Sequence, residues 1–413
     1  MLYQSKVKIL GDLQMKENLL HTPDGVRDIY GTECEQKHIL ENRMHKVLNS
    51  YGYRDIETPA FEYFDVFGHE IGTTPSRELY KFFDREGSTL VLRPDFTPSI
   101  ARASSKYFME ENHPIRLCYL GNTYVNYLDY LGRMKESTQM GAELIGDPGP
   151  EADAEVIAMV IEMLLSAGLK EFQISVGQEL FFDALAGEAA LNPEDTETLR
   201  ELIRNKNSFG VEKLLKGKNI APELRQLFVQ IPSMFGGEEI IEKAEEMTDC
   251  EEARAALERL RDVLRILEVY GLEQYVSIDL GMMSGFMYYT GIIFRGYTYG
   301  SGDAIIKGGR YDELLKNFGK PSPAIGFVVV INSLLHAMNR QQVPIVSEAD
   351  RKLVFYDDQS RDEAIRTAMS LRKQGSDAEL RKVEAADFSK TDAQICQEGG
   401  YRDVIHTERG QKT

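Results

Sequence analysis

Hydrophobic positions along the chain alternate between two spacings, and the switches between them mark out the elements. From about Glu33 to Ser50 the apolar residues Ile39, Leu40, Met44, Val47 and Leu48 recur at helical spacing, and Gly52 ends the run. The turn-rich stretch Thr22–Asp28 (TPDGVRD) precedes that helix. Ile56 to Phe61 (IETPAF) reads as a strand ending in a proline turn. Leu79 to Phe83 and Leu90 to Leu92 flank the polar turn Arg85-Glu86-Gly87-Ser88, which predicts a hairpin. A helix is expected over Thr97–Tyr107, then two antiparallel strands, Ile115–Val125 and Thr138–Ile145, around a connection from Asn126 to Glu136. Glu151–Ala167 carries a strong helical stripe (Val156, Val160, Ile161, Leu164), and Phe172–Val176 follows as a strand.

The charged, helical stretch that follows reads as an inserted helical subdomain at about 182–270. Strand patterns return at Tyr275–Leu280, Met287–Tyr297 and Ala304–Ile306. Ala324–Ile331 is a buried strand leading to a helix near Leu334–Met338. Pro344 marks a linker. Residues 1–343 are therefore expected to form one core domain and 344–413 a short α/β region, with strands at Leu353–Phe355 and Asp403–Ile405 and a helix over Glu363–Lys373.

Composition changes this picture in two respects. With 66 acidic against 48 basic residues among 413, the net charge is −18. Phosphate neutralisation by Lys and Arg supplies most non-specific affinity for nucleic acid, so this balance weighs against a polyanionic partner. Cys34, Cys118, Cys250 and Cys396 are scattered, without a CxxC pair or a clustered Cys/His ligand set, which points to a reduced protein without structural zinc. The stretch from Met1 to Met15 has no apolar core of signal-peptide length, and no apolar run reaches bilayer-spanning length. A cytoplasmic protein with no membrane association is expected.

Candidate chemistry is sparse. Gly308-Gly309-Arg310-Tyr311-Asp312 is the densest short motif, and its plain reading is a tight turn with an Arg–Asp pair. Gly296, Gly300 and Gly302 (GYTYGSG) lack the Lys-Ser/Thr ending of a P-loop. Asp95 and Thr97 put a carboxylate and a hydroxyl beside a strand end, where they could hold an amine or simply cap the helix behind them. Gln139 and Glu143, four apart in a strand, share one face, which either a ligand or solvent could satisfy. Tyr288 and Tyr289 lie on a presumed strand, so at most one of them would line a given wall. The residues alone thus reach an α/β binding protein with a polar pocket.

Taken in order, these segments resemble histidyl-tRNA synthetase over roughly Thr22 to Met338. TPDGVRD is similar to that family's N-terminal signature, IETPAF to its dimer-forming first motif, and LRPDFT (Leu92–Thr97) to the loop gripping the amino acid's α-amino group. The stretch Arg116–Gly146 resembles the second synthetase motif, SGFMYYTG (Ser284–Gly291) the histidine-specific peptide, GGRYD a shared glycine loop, and PAIGFVVVINSLL (Pro323–Leu335) the third motif. The resemblance implies an α+β fold: a class II aminoacyl-tRNA synthetase-like antiparallel sheet flanked by helices, normally dimeric.

The same resemblance makes the departures informative. Val125, Ser284 and Ser333 stand where a working synthetase has arginines on the phosphates. Tyr127 replaces its adenine-reading glutamate, Leu128 a further Arg, and Met287 the Asp of the histidine peptide. Amino-acid activation depends on cationic stabilisation of the transferred phosphoryl, and losing one such donor costs about 2.7–4 kcal/mol. The positions that hold the amino acid are nevertheless filled by Asp95 (Glu in the family), Thr97, Gln139, Glu143, Tyr288 and Tyr289. The tail is short and acidic for an anticodon-binding domain.

The pattern resembles the regulatory subunits of ATP phosphoribosyltransferase, paralogues of the synthetase. It implies a non-catalytic chain without catalytic residues, metal or cofactor. Such a chain would activate a short-form catalytic subunit and pass on feedback by histidine, self-associating as a dimer without tRNA. The alternatives are a divergent histidyl-tRNA synthetase and a stand-alone histidine-sensing module.

Overall fold

Leu40, Met44 and Leu48 are fully buried along one stripe of the first helix, α1 (Gly31–Ser50), and Gly52 follows it with a φ of +83° that only glycine adopts cheaply. The computed structural model describes residues 20–68, 74–127, 133–284, 288–346, 349–384 and 390–407; Met1–Met15, Leu128 and Met287 lie outside the described residues. After α1 come β1 (Arg54–Asp55), β2 (Phe61–Tyr63), β3 (Lys81–Phe83), β4 (Thr89–Leu92), α2 (Thr97–Tyr107), β5 (Ile115–Tyr124), β6 (Glu136–Ile145) and α3 (Pro150–Ala167). Then follow β7 (Phe172–Gln178), α4 (Glu179–Glu188), α5 (Pro193–Arg204), α6 (Ser208–Leu215), α7 (Pro222–Gln230), β8 (Phe235–Gly236), α8 (Glu239–Glu246) and α9 (Glu251–Tyr270). The first compact unit, Met1–Ile345, closes with β9 (Val276–Asp279), β10 (Ile292–Thr298), β11 (Ile306–Arg310), β12 (Ala324–Val330) and α10 (Ile331–Arg340).

Its main sheet has nine strands in the order β1-β5-β6-β12-β11-β10-β7-β9-β8. The pairs β1–β5 and β7–β9 are parallel and the others antiparallel. A separate antiparallel sheet, β2-β4-β3, contains the expected hairpin. Helix α3 is apolar nearly all round, as a fully buried helix must be, and it packs against α1, α9 and β12. The helical stretch between β7 and β9 shares this core: Leu199, Val211 and Leu227 belong to the same buried cluster as Ile174 and Phe294. No helix among the described residues is long and apolar enough to cross a membrane.

Three local expectations are corrected. Ile56–Phe61 is not a strand: pairing stops at Asp55 and resumes at Phe61, and Pro59, which has no N–H to give a ladder, lies between. Gly308 and Gly309 are not a turn but the middle of β11. A Cβ on Gly308 would lie 2.3 Å from the Phe294 ring, so the glycines are there for close approach. Residues 288–291 precede β10 instead of belonging to it, because pairing with β7 begins at Ile292.

The second unit, Val346–Thr413, contains β13 (Arg351–Tyr356), α11 (Arg361–Lys373), β14 (Asp377–Lys382), α12 (Asp392–Gly399) and β15 (Asp403–His406). Its parallel sheet has the order β14-β13-β15. Val354 packs with Ala364 and Ala368 of α11, while Leu353 and Phe355 pack with Ile395 of α12. Both β14 and α12 are absent from the sequence expectation. They are short and mostly exposed, which leaves little periodic signal.

Candidate functional site

The centre of the main sheet is built around small residues. In the antiparallel register, Gly309 lies opposite Gly326, and Gly326 opposite Glu143. Directly opposed residues point to the same face, so a side chain at Gly326 would collide with the glutamate: its Cβ would lie 1.6 Å from Glu143 Oε2. Gly309 makes room in the same way for the Tyr289 ring, which a Cβ would meet at 2.7 Å. One strand over, Gly141 accommodates Tyr119, and the Tyr119 ring stacks on Phe96 with centroids 4.3 Å apart. These glycines let a carboxylate and two aromatic rings lie flat on the sheet.

Above this floor is a cavity of about 930 Å³. Asp95, Thr97, Gln139, Tyr288 and Tyr289 all line it. Asp95 also follows its plainer reading: Oδ1 accepts from the backbone N–H groups of Phe96 and Thr97 at 2.6 and 3.3 Å, at the start of α2. Both tyrosines reach the cavity, contrary to the expectation for a strand. Freed from strand alternation, their rings lie together with centroids 4.7 Å apart, and Tyr288 meets Tyr311 edge-on at 5.9 Å.

Glu143 sits differently. It is 1% exposed and lies behind the wall. Thr97 Oγ1 donates to its Oε1 at 2.9 Å, and the Tyr311 hydroxyl donates to its Oε2. Burial pushes its carboxyl up to about 8, despite those two donors and with a further push from Asp95. Tyr311 is the residue sequence reasoning missed here. Its motif was noticed, but as a turn it had no reason to face Glu143. Gln139 has its Oε1 buried without a hydrogen-bond partner among the described residues, and the residue lines the cavity. A buried carbonyl oxygen in that state is a ready acceptor for a ligand N–H.

Val125, Tyr127 and Ser333 line the same cavity, whereas Ser284 is not part of its lining and donates its N–H to the buried Glu179. Positive charge is not missing, however. Arg27, Arg133, Lys135 and Lys307 also line the cavity, from three separate segments whose convergence only the fold reveals. Arg27 pairs with Glu33, Arg133 lies over the Tyr127 ring at 5.4 Å, and burial lowers the Lys307 ammonium below its ordinary range.

The long, largely antiparallel sheet with a polar cavity over its glycine-lined centre defines a class II, histidyl-tRNA synthetase-like protein, and the family model for histidyl-tRNA synthetase matches residues 25–334. The ATP phosphoribosyltransferase regulatory subunit of Acetivibrio thermocellus is 42% identical over 374 residues, covering 91% of this chain and 89% of the relative. That of Caldanaerobacter subterraneus subsp. tengcongensis is 41% identical, covering 91% of this chain and 98% of the relative. A solved structure from Bacillus halodurans, described as an ATP phosphoribosyltransferase regulatory subunit/histidyl-tRNA synthetase, is 32% identical. It superposes with a TM-score of 0.82, covering 95% of this chain and 99% of that one. The chain belongs to the family of ATP phosphoribosyltransferase regulatory subunits.

Proposed function

We propose that this chain is the non-catalytic partner of a short ATP phosphoribosyltransferase catalytic subunit in histidine biosynthesis, that it activates that subunit, and that its cavity takes histidine as the feedback ligand. The observation that carries the ligand assignment is Gln139, which lines the cavity with Asp95 and the tyrosine pair and whose Oε1 is a buried acceptor without a partner among the described residues. An α-ammonium group needs acceptors, and Asp95 and Gln139 supply one charged and one neutral. The imidazole then stacks against or bonds to Tyr288 and Tyr289, with Tyr311 and Thr97 held in place by Glu143 behind them. Feedback requires histidine to bind more tightly to the inactive arrangement of the complex.

Co-expression with the short catalytic chain tests this reading. A stable complex that forms phosphoribosyl-ATP and is inhibited by histidine is expected. Gln139→Leu removes the acceptor, a hydrogen bond to a charged group being worth about 1.5–3 kcal/mol, so histidine inhibition should weaken about 10- to 100-fold. Failure to form a complex overturns the partner assignment, and unchanged inhibition in the variant overturns the pocket assignment.

The four basic residues around the cavity favour a second reading, in which a nucleotide still enters and the chain is a divergent synthetase. Val125, Ser284 and Ser333, at the positions where the resemblance to a synthetase implies arginines, argue against it. Purified chain is expected to give no histidine-dependent ATP–pyrophosphate exchange above a no-enzyme control, and exchange above that control selects the second reading.

A further inference from the structure

His45, Asp55 and Cys118 come from three separate elements, α1, β1 and β5, and their spacing along the chain gives no sign that they meet. The fold brings their ligating atoms within 4.8 Å of one another. His45 Nε2 lies 2.7 Å from Asp55 Oδ1, and Cys118 Sγ lies 3.5 Å from the same oxygen. The Asn49 side-chain amide is 3.3 Å from the other ring nitrogen, His45 Nδ1. Asp55 and His45 are 63% and 34% exposed, so the cluster opens to solvent, with the buried Cys118 at its base.

We propose that His45, Asp55 and Cys118 form a zinc site that clips the edge strand β1 to α1 and β5. An imidazole nitrogen, a thiolate and a carboxylate are a donor set that suits zinc, whose bonds to N and O are about 2.0–2.2 Å and to S about 2.3 Å. Tetrahedral angles at those lengths put the donors about 3.5 Å apart. The Cys118–Asp55 pair already has this spacing, and the His45–Asp55 pair reaches it by opening slightly on an exposed side. The ion bonds to Sγ as the thiol releases its proton to solvent. The proton shared between His45 Nε2 and Asp55 moves to Nδ1, where the Asn49 amide, turned with its oxygen to the ring, accepts it. A water completes the fourth position. Fixing the outer nitrogen of a ligating histidine in this way is the usual supporting arrangement at such sites.

The clip would act at one edge of the sheet. Strand β1 is two residues long, and its continuation is held by Ile56 N–H donating to Cys118 O at 2.9 Å. The test uses the full chain, stripped with chelator and titrated with cobalt(II), which reports thiolate ligation by a charge-transfer band in the near ultraviolet. One equivalent should bind with that band, and zinc should displace it. Cys118→Ser should abolish the band, and His45→Gln and Asp55→Asn should each weaken zinc binding at least tenfold in chelator competition. Cys34→Ser should leave the band intact, although Cys34 lies 3.6 Å from His38 and is another place where a thiol meets an imidazole. Because Cys118 is buried, its variant is checked for folding by circular dichroism, and the two exposed variants decide the question if it fails. The proposal is overturned if the unaltered chain gives no thiolate band, if the band survives Cys118→Ser, or if both exposed variants bind zinc as tightly as the parent.

Discussion

Asp153→Ala is expected to lower the unfolding free energy by about 3–5 kcal/mol, the cost of leaving a buried charge without its partner. Asp153, at the start of α3, is 0% exposed and is gripped from two sides. Arg310 Nε and Nη2 approach Oδ1 at 2.8 and 2.6 Å, while Arg259 Nε and Nη2 approach Oδ2 at 2.8 and 2.7 Å. Arg310 is itself nearly buried in β11, so the alanine would leave its guanidinium with Asp312 at 3.2 Å and backbone carbonyls as acceptors. Arg259 comes from α9, so one carboxylate ties the helical insertion, the buried helix and the central sheet together. Arg259→Ala should cost clearly less, because Arg259 is partly exposed and its loss leaves the Arg310 pair standing. Urea midpoints of the two variants check the ranking. Equal, small shifts would mean that the Arg310 charge finds solvent when Asp153 is removed. Since Tyr311 follows Arg310 directly, histidine affinity of the folded fraction of Asp153→Ala reports whether this anchor also sets the cavity wall.

Much of the architecture was legible because one periodicity dominated each stretch. The helix over Thr97–Tyr107 has the bounds its pattern predicts, and β5 and β6 pair as expected because both carry long runs with one apolar face. Legibility failed where a residue's reason lay on another strand. Gly308 and Gly309 look like a turn locally, and only the neighbours Phe294 and Tyr289 explain them. The tyrosine pair looks like strand because aromatic residues favour strands, yet β10 starts at Ile292 and leaves both rings facing the cavity. The even spacing of Gln139 and Glu143 correctly puts them on one face, but it says nothing of depth. Gln139 reaches the cavity, while Glu143 is covered by Thr97 and Tyr311. Arg27, Arg133, Lys135 and Lys307 converge from distant segments, which an overall charge of −18 conceals.

That covered position gives Glu143 a measurable pH signature. Its carboxyl is pushed up to about 8 in the folded chain by burial, against about 4.3 for an exposed glutamate in an unfolded one. Between those values the native state holds a proton that the unfolded state has lost, so stability falls as pH rises, by up to about 1.4 kcal/mol per pH unit. The contribution is fully present below the unfolded value and is lost as pH passes the folded one. Glu143→Gln keeps the shape and cannot ionise, so the difference in stability between variant and parent should shift steadily in favour of the variant from about pH 5 to about pH 9. Urea unfolding at several pH values measures that difference, and a constant difference would mean that Glu143 is already ionised at the lower end. The titration also changes what the cavity offers. An ionised Glu143 accepts from both Thr97 and Tyr311, as in the arrangement observed. A protonated one must itself donate, and the Tyr311 hydroxyl is the neighbour that can turn to accept. That turn points the Tyr311 O–H towards the cavity, where a neutral imidazole nitrogen accepts the hydrogen bond. Histidine affinity should therefore decline more steeply as pH rises through about 8 in the parent than in Glu143→Gln, where calorimetric titrations should find only the decline that follows deprotonation of the ligand's own α-ammonium.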